Sequence, residues 1–581
     1  MSKKKQPKQI DENQYVIDTI TSRFGIAKEA QTQIFTNFTK YYDYYTAVLD
    51  SEKKNNYRST LKVPYIKQIV DTILPRLVSS KPKINVLPVE DTDIGDAQAM
   101  EKFVDWQWEK LRLYQKIKQW VKTALIYGVG ILKLGWDYDE EVADEDKPWV
   151  ELVSNYDVFK SPNTSTLDGE WVIFKQERDL AEVKKNKKYI NLDKLEGLVG
   201  IDSDTNKNKE LSSRGLSAPK KDGRKKVVLY EYYGKLSLKE DEEEKDYFVV
   251  LANNEVVLRI APLDEVSPCG IPFVALFDDP MPLDFWATGE VQPLMALQDE
   301  LDTLRRQRLD NRNLIINHMW LVNKDGGVNW DDFVSRPGGI IECADINAVK
   351  PLPVNDTSGS SVQEESIVKQ DMDRTSGIFP GMMGQMQLPP GVGSGDVFTQ
   401  TKGGFLAAIE QAGTKLQYKL DNLDDAIREL GQKLLKLDAA YIDKEQIIRI
   451  VGKNGVKFET IKPEILKKEY DLRIEGGTTQ PKNREATIRK YAMALNSFAP
   501  FTNALMFQYE PGSPPIPTKL NLQYFLKNMI DEMEMPNSEE AFINLQEIAP
   551  PPMMPGSIPN PNETIAPGGG GGAQLAPPPA I

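Results

Sequence analysis

The sequence predicts an α+β protein on three observations. Apolar residues recur at helical spacing through residues 1–135 and again from Gly289 onward. Between these regions the pattern changes to short β-branched and aromatic runs bounded by Gly, Asn, Asp and Pro. The strand runs follow one another closely, with no helical crossover between them, so their pairing is antiparallel. At 581 residues the chain is several times the usual domain size and divides into more than one structural region.

The amino-terminal helices come first. Residues 65–78 place Ile66, Ile69, Ile73 and Leu77 on one face, and residues 111–126 do the same with Ile117, Trp120, Val121, Ala124 and Leu125. Both stripes face a core. Between them, residues 81–89 (KPKINVLPV) alternate Ile84, Val86 and Pro88, a short strand that its prolines confine to a sheet edge.

Residues 131–138, 150–153, 171–176, 227–233, 247–251 and 256–260 are the strand runs. Asn253-Asn254 fits a tight hairpin, since Asn tolerates the positive φ such turns require. Residues 184–224 are polar and rich in Lys, Ser and Asn, which predicts an irregular surface insertion, and residues 240–244 form a solvated acidic loop.

Helix returns at Gly289 and runs to about Asn317, roughly 40 Å at 1.5 Å per residue. Leu294, Leu297, Leu301 and Leu304 recur at gaps of three and four, the seam of a helix packed lengthwise on another. Arg305, Arg308 and Arg312 share a face beside Arg306. That stripe serves either ion pairs, with acidic neighbours such as Asp302 and Asp310 or with an adjacent subunit, or nucleic-acid phosphates; ion pairing is the commoner use. Strands at residues 319–322 and 338–342 follow, then a second helix over 362–375.

Residues 379–396 (FPGMMGQMQLPPGVGSGD) have neither period and read as an extended or mobile loop. A very long helical pattern then covers 398–441, with Phe405, Ile409, Leu416, Leu420, Leu423, Ile427, Leu430 and Leu434 on one face. Gly403, Gly404 and Gly413 lie inside it, each weakening helix by about 1 kcal/mol relative to Ala, which predicts a bend. Strands at 447–451 and 470–475 and helices at 483–496 and 520–531 complete the folded part, and Pro and Gly dominate from Ala549, predicting a disordered tail.

Composition narrows the chemistry. Hydrophobic residues are 40% and charged residues 27%, the balance of a soluble protein. The most apolar stretch, residues 123–136, is broken by Lys133 and is shorter than the ~20 residues a spanning helix needs, so no membrane is expected. The Lys-rich start lacks an apolar run behind it, so no secretory signal is expected, and a cytoplasmic origin is the expectation. Two distant cysteines, Cys269 and Cys343, build no disulfide framework. A net charge of -14 argues against tight wrapping of nucleic acid; it suits a surface that DNA slides past, because an acidic wall repels phosphates, but a merely soluble acidic surface is the commoner meaning of such a charge.

Catalytic constellations are missing from the pattern. His318 is the only histidine, so a multi-histidine metal site cannot be built, and it reads as a polar residue at a helix end. No Gly-Lys-Ser or Gly-Lys-Thr closes a phosphate loop. Asp91-Thr92-Asp93 and Asp202-Ser203-Asp204 begin like calcium loops but lack Gly at the sixth position and Glu at the twelfth. Glu364, Glu365, Asp371 and Asp373 read as a charged helix face. The expectation is a protein that is not an enzyme and holds no cofactor and no metal.

Three stretches carry a resemblance. ALIYGVGILKLGWD at residues 124–137 runs into VELVSNYDVFKSPNTSTLDGEWVIFKQE at 150–177, a Gly-flanked strand followed by a loop and a tryptophan-led strand. PFVALFDDPMPLDFW from Pro272 leads to GEVQPLMALQDELDTLRRQRLDNRN, with Gln298 and Asn311 in its helix. YDLRIEGGTTQPKNR at 470–484 is a strand and turn before the terminal helices. In this order they resemble the portal proteins of tailed bacteriophages, the head-to-tail connectors, over residues 57–501; Ala287-Thr288-Gly289-Glu290 departs from the Gly-Ser type turn of many relatives.

The resemblance implies a portal-like fold with helical stem, small α/β clip, mixed α/β wing and helical crown. Residues 1–283 would be the first part of the wing, including the insertion 184–224. Residues 284–317 and 361–378 would be the two stem helices, and 318–360 the clip. Residues 379–396 would be the tunnel loop, with Met382, Met383, Gln385, Met386 and Gln387 as its candidate channel residues, and 397–482 the long bent helix and strands of the wing. Residues 483–548 would be the crown and 549–581 the tail. Leu294, Leu297, Leu301 and Leu304 would pack the stem against the neighbouring subunit, and Arg305, Arg308 and Arg312 would form its basic stripe.

It further implies a homo-oligomeric dodecameric ring at one vertex of the virion capsid, assembled in the host cytoplasm. Double-stranded DNA would pass through it in packaging and ejection. Its partners would be the terminase large subunit, head-tail adaptor and tail proteins, and the major capsid and scaffold proteins. The alternative is another multimeric phage structural or adaptor protein with no channel. A nucleic-acid enzyme ranks third.

Overall fold

The computed structural model describes residues 12–47, 58–79, 84–88, 94–137, 147–197, 225–239, 242–317, 319–329, 345–356, 358–378, 402–443, 445–452, 455–468, 470–474, 506–508 and 516–518, with residues 82, 331 and 493 besides. Expectations for His318, Cys343, Asp91–Asp93, Asp202–Asp204, the strand at 338–342, the loop at 379–396, the helices at 483–496 (apart from Met493) and 520–531, and the tail from Ala549 lie outside the described residues. The chain divides into two compact units, Met1–Pro481 and Lys482–Ile581.

The first unit opens with helix α1 (Glu12–Thr46), which buries Val16, Ile20, Ala27, Phe35, Phe38 and Tyr45. Helix α2 (Tyr65–Leu77) buries the predicted stripe of Ile66, Ile69, Ile73 and Leu77. Strand β1 (Ile84–Pro88), helix α3 (Ile94–Lys110) and helix α4 (Leu113–Tyr127) follow, α4 with Ile117, Trp120, Val121, Ala124 and Leu125 inside.

Strand β2 (Val129–Asp137) is buried along most of its length, which explains the apolar stretch read in the sequence: it is a helix end running into the middle strand of a covered sheet. β3 (Lys147–Val153), β4 (Val158–Lys160), β5 (Trp171–Asp179), β6 (Lys226–Leu236), β7 (Lys245–Ala252), β8 (Val256–Pro262) and β9 (Phe273–Phe277) complete the β region. They form a three-stranded sheet in the order β3-β2-β9 and a five-stranded sheet in the order β4-β5-β6-β7-β8, antiparallel throughout. Asn253 (φ 52°) and Asn254 (φ 59°) turn the β7–β8 hairpin as expected.

The sheets pack face to face, with Val129, Ile131 and Phe273 of one against Val172, Val227, Leu229 and Val250 of the other. Lys133 of β2 crosses this layer to a buried ion pair with Glu231 of β6, which also accepts from Gln176 and, at 2.7 Å, from the Tyr233 hydroxyl. Burying both charges costs desolvation, which their mutual attraction and the added hydrogen bonds to Glu231 offset.

Beyond the sheets come helix α5 (Val291–Ile316), strands β10 (Trp320–Val322) and β11 (Val349–Pro351), helix α6 (Ser358–Ser376) and helix α7 (Lys402–Tyr441). The glycines in α7 do not interrupt it. Its Leu420, Leu423, Ile427, Leu430 and Leu434 join the core of α1, α2 and α4. The polar segment after Val183 follows the surface, yet Ile190 donates its N–H to Leu258 of β8 and Leu195 is buried, so its first part is packed on the sheet.

Strands β12 (Gln446–Gly452) and β13 (Gly455–Ile461) form a hairpin, and β14 (Tyr470–Ile474) returns to pair antiparallel with β1, Ile84 opposite Ile474. In the second unit the described strands are β15 (Met506–Gln508) and β16 (Ile516–Thr518), an antiparallel pair with Phe507 opposite Pro517.

Candidate functional site

The most distinctive structure is the pair α5 and α6, a helical hairpin with the two-stranded β10–β11 between its legs. The 26 residues of α5 span about 39 Å. β10 and β11 are antiparallel, with Trp320 opposite Pro351. Leu314, Ile316, Met319, Trp320 and Leu321 are all exposed at this end of the hairpin.

The legs are tied by charge. Glu365 of α6 is buried, and Arg308 and Arg305 of α5 reach its carboxylate at 2.6 and 3.5 Å, with Lys369 at 3.0 Å. Burial alone would raise the Glu365 pKa, but Arg308 and Lys369 outweigh it and hold the carboxyl below its ordinary value. Asn311 adds a bond to the carbonyl of Asn355 at 3.0 Å. Two arginines of the predicted stripe are thus committed within the chain, while Arg312 is exposed.

The acidic residues correct the charged-face reading. Glu365 and Asp373 are buried, and Asp373 accepts from the Tyr65 hydroxyl of α2 at 2.8 Å. Burial pushes the Asp373 carboxyl up to about 6, with Tyr65 opposing. Two of the four carboxylates are therefore interior fasteners of the hairpin. Helical spacing placed them on a shared stretch of α6 but did not reveal which side α2 and α5 would cover.

The leucine seam is also used within the chain. Leu294 and Leu301 are fully buried, and Leu297 and Leu304 are half-buried against the same core. A lengthwise apolar stripe needs a partner, and this chain's own helices supply it for Leu294 and Leu301.

The flank of α5 beside the leucine seam carries a pattern that the sequence reading missed. Gln298, Asp302, Arg306 and Asp310 follow at intervals of four and line one helix face. Together they grip the backbone of the extended segment ahead of α2. The Ser59 N–H donates to Asp310 at 2.6 Å, the Val63 N–H to Asp302 at 2.8 Å and the Ile66 N–H to Gln298 at 3.3 Å. Gln298 and Arg306 in turn donate to the carbonyls of Val63 at 2.6 Å and Leu61 at 2.9 Å. Asp302 and Asp310, expected as ion partners for the arginines, hold this strap instead. Burial raises the Asp302 pKa, opposed by the Val63 N–H and Gln298. The polar residues at intervals of four were the available signal.

At the base of the hairpin three segments meet. Gly128, φ +91°, ends α4 against the Ala287–Gly289 turn so closely that an added Cβ would lie 1.9 Å from the Ala287 carbonyl oxygen. Backbone bonds lock the joint: Glu290 N–H to Leu125 at 2.8 Å, Asp278 N–H to Gly128 at 2.9 Å, and a bridge between Asp279 and Thr288. Lys419 of α7 enters here and pairs with Asp278 at 2.5 Å and Glu290 at 2.8 Å, all three buried. Two carboxylates around one ammonium leave an excess negative charge; burial raises the Asp278 carboxyl, with Lys419 opposing. The departure at Ala287–Glu290 noted in the sequence is thus the turn that fits against Gly128.

Met382, Met383, Gln385, Met386 and Gln387 lie outside the described residues. Among the described residues, no group of His, Cys, Asp and Glu is placed to hold a metal, and no helix is long and apolar enough to cross a membrane.

The site is thus a long helical hairpin on an α+β body, braced by strap and base. The model of the family described as "Phage SU10 portal protein" matches residues 19–148 and 140–565, most of the chain. This chain belongs to that family and is a tailed-phage portal protein. The family is structural, and membership implies a multimeric ring in the phage head. A comparison with curated proteins returns no match.

Proposed function

We propose that the chain forms a dodecameric ring at one capsid vertex, through which double-stranded DNA is packaged and later ejected, and that it catalyses no reaction itself. The observation that carries this reading is the family match across residues 19–148 and 140–565. The hairpin supports it. α5 and α6 act as the stem, residues 318–360 as the clip, residues 1–283 and 397–482 as the wing, and 483–548 as the crown. The clip docks the terminase large subunit during packaging and then head-tail adaptor and tail proteins, while the wing meets major capsid and scaffold proteins.

In this reading residues 379–396 reach toward the DNA. Met382, Met383 and Met386 suit contact with a moving, irregular object, because thioether side chains are flexible and polarisable. Arg312 is the member of the arginine stripe left for phosphates or a partner, since Arg305 and Arg308 serve Glu365. The net charge of -14 keeps DNA from adhering.

Electron microscopy of the purified protein tests the proposal. Rings with a central channel wide enough for duplex DNA are expected, and a compact monomer at every concentration and salt would overturn it. Deleting residues 382–387 should leave rings intact while impairing DNA packaging or retention; normal packaging would remove the loop from the mechanism.

A further inference from the structure

Two lysines one turn apart on α7 grip the two legs of the hairpin at their common base. Lys415 donates to the carbonyl of Thr375 at 2.6 Å, in the last turn of α6. There the helix leaves carbonyls without intrahelical partners and presents the negative end of its dipole, so a cation is favoured. The Lys415 methylenes also cover Gly377, where φ is +74° and an added Cβ would lie 2.9 Å from the Lys415 Cδ. Lys419 pairs with Asp278 and with Glu290, the residue immediately before α5. Asn422, on the same side of α7, donates to the Asp278 carbonyl at 3.3 Å.

These contacts differ in kind. The Lys415 bond is exposed and reaches a backbone carbonyl, whereas the Lys419 pairs are buried and cannot be relaxed by water. A buried ammonium between two carboxylates resists sliding of α7 along the hairpin, because displacement would strand charge in the interior. The Gly128–Gly289 contact beneath leaves no room for the α5 start to yield alone.

We propose that Lys415 and Lys419 are positioning residues that make the end of α6 and the start of α5 move with α7 as one body. A load on the chain that joins α6 to α7 is thereby delivered to the stem hairpin. This rests on the portal reading above: the load is passing DNA, and the hairpin carries its effect toward the clip.

The test uses full-length protein in two variants. Lys415→Ala removes an exposed side chain and leaves the fold intact. Lys419→Met combined with Asp278→Asn and Glu290→Gln removes the buried charges together, so that none is left unpaired. Ring formation is followed by electron microscopy, and DNA packaging is followed in particles assembled from each variant. Both variants should form rings, with packaged DNA falling at least tenfold and Lys415→Arg restoring it, since a guanidinium also reaches the Thr375 carbonyl. Wild-type packaging by Lys415→Ala rings would overturn the proposal, whether or not the triple variant folds. Failure of unaltered rings to pass DNA is a separate result and would count against the portal reading itself.

Discussion

Arg308 of α5 meets Glu365 of α6 at 2.6 Å, with both side chains largely shielded from water. The contact converts two neighbouring helices into one stiff element, because Glu365 also draws in Arg305 and Lys369.

Glu365→Gln should therefore loosen the hairpin, leaving Arg308 half-desolvated with no counter-charge, at a cost of about 2–3 kcal/mol. The pH dependence has a definite sign. The folded carboxyl titrates below its ordinary value of 4.5, so the stabilisation is complete above that value and is lost as pH falls through the lower folded one. Denaturant melts of both proteins across the acid range should converge toward low pH. A constant gap would show that the pair contributes no charge-dependent stability.

Asp438 on α7 is fully buried and receives both its hydrogen bonds, each 2.8 Å, from the Gln107 amide of α3. Burial pushes its carboxyl up to about 8, with the Gln107 bond opposing. Since the folded state holds the proton more tightly, this site stabilises below the ordinary carboxylate value of 3.8, and its contribution is lost as pH rises through about 8. Asp438→Asn should remove that loss, with thermal melts little changed near pH 4 and raised at pH 8 by a stability gain on the order of 2 kcal/mol. Equal melting shifts at both pH values would contradict the assignment.

Asp302→Ala deletes the acceptor for the Val63 N–H and releases Gln298 from its 3.0 Å bond to the same carboxylate. The strap should open locally by about 1–3 kcal/mol, the cost of leaving a shielded N–H unmet. Hydrogen exchange read at the Val63 amide should accelerate by an order of magnitude or more, while amides in β6 stay protected. Unchanged exchange at Val63 would mean that the stripe does not hold the strap.

What could be read in advance follows a physical division. The α2 stripe, the β7–β8 turn at Asn253-Asn254 and the extent of α5 depend on spacing and local backbone preference, so the sequence displayed them directly. The partners of long-range groups are different. The spacing of Leu294, Leu297, Leu301 and Leu304 says that a face is covered, not whether the same chain covers it. Charge is more ambiguous still: Glu365 and Glu364 are adjacent on α6, yet one is buried under two arginines and the other is exposed. Only the fold decides which. The joint at Gly128 and Gly289 was visible merely as glycines near a helix end, because nothing local links residues so far apart.

The pairing of β1 with β14 sets a condition on synthesis. Ile84 leaves the ribosome early, but its partner Ile474 is made only after nearly four hundred further residues. Until then the edge of β1 has no mate, and unpaired edges invite pairing with other chains. A message truncated before Tyr470 would yield a product with its helices and both main sheets encoded but that seam unclosed. Such fragments should accumulate as aggregates, which centrifugation of the expressed fragment would detect.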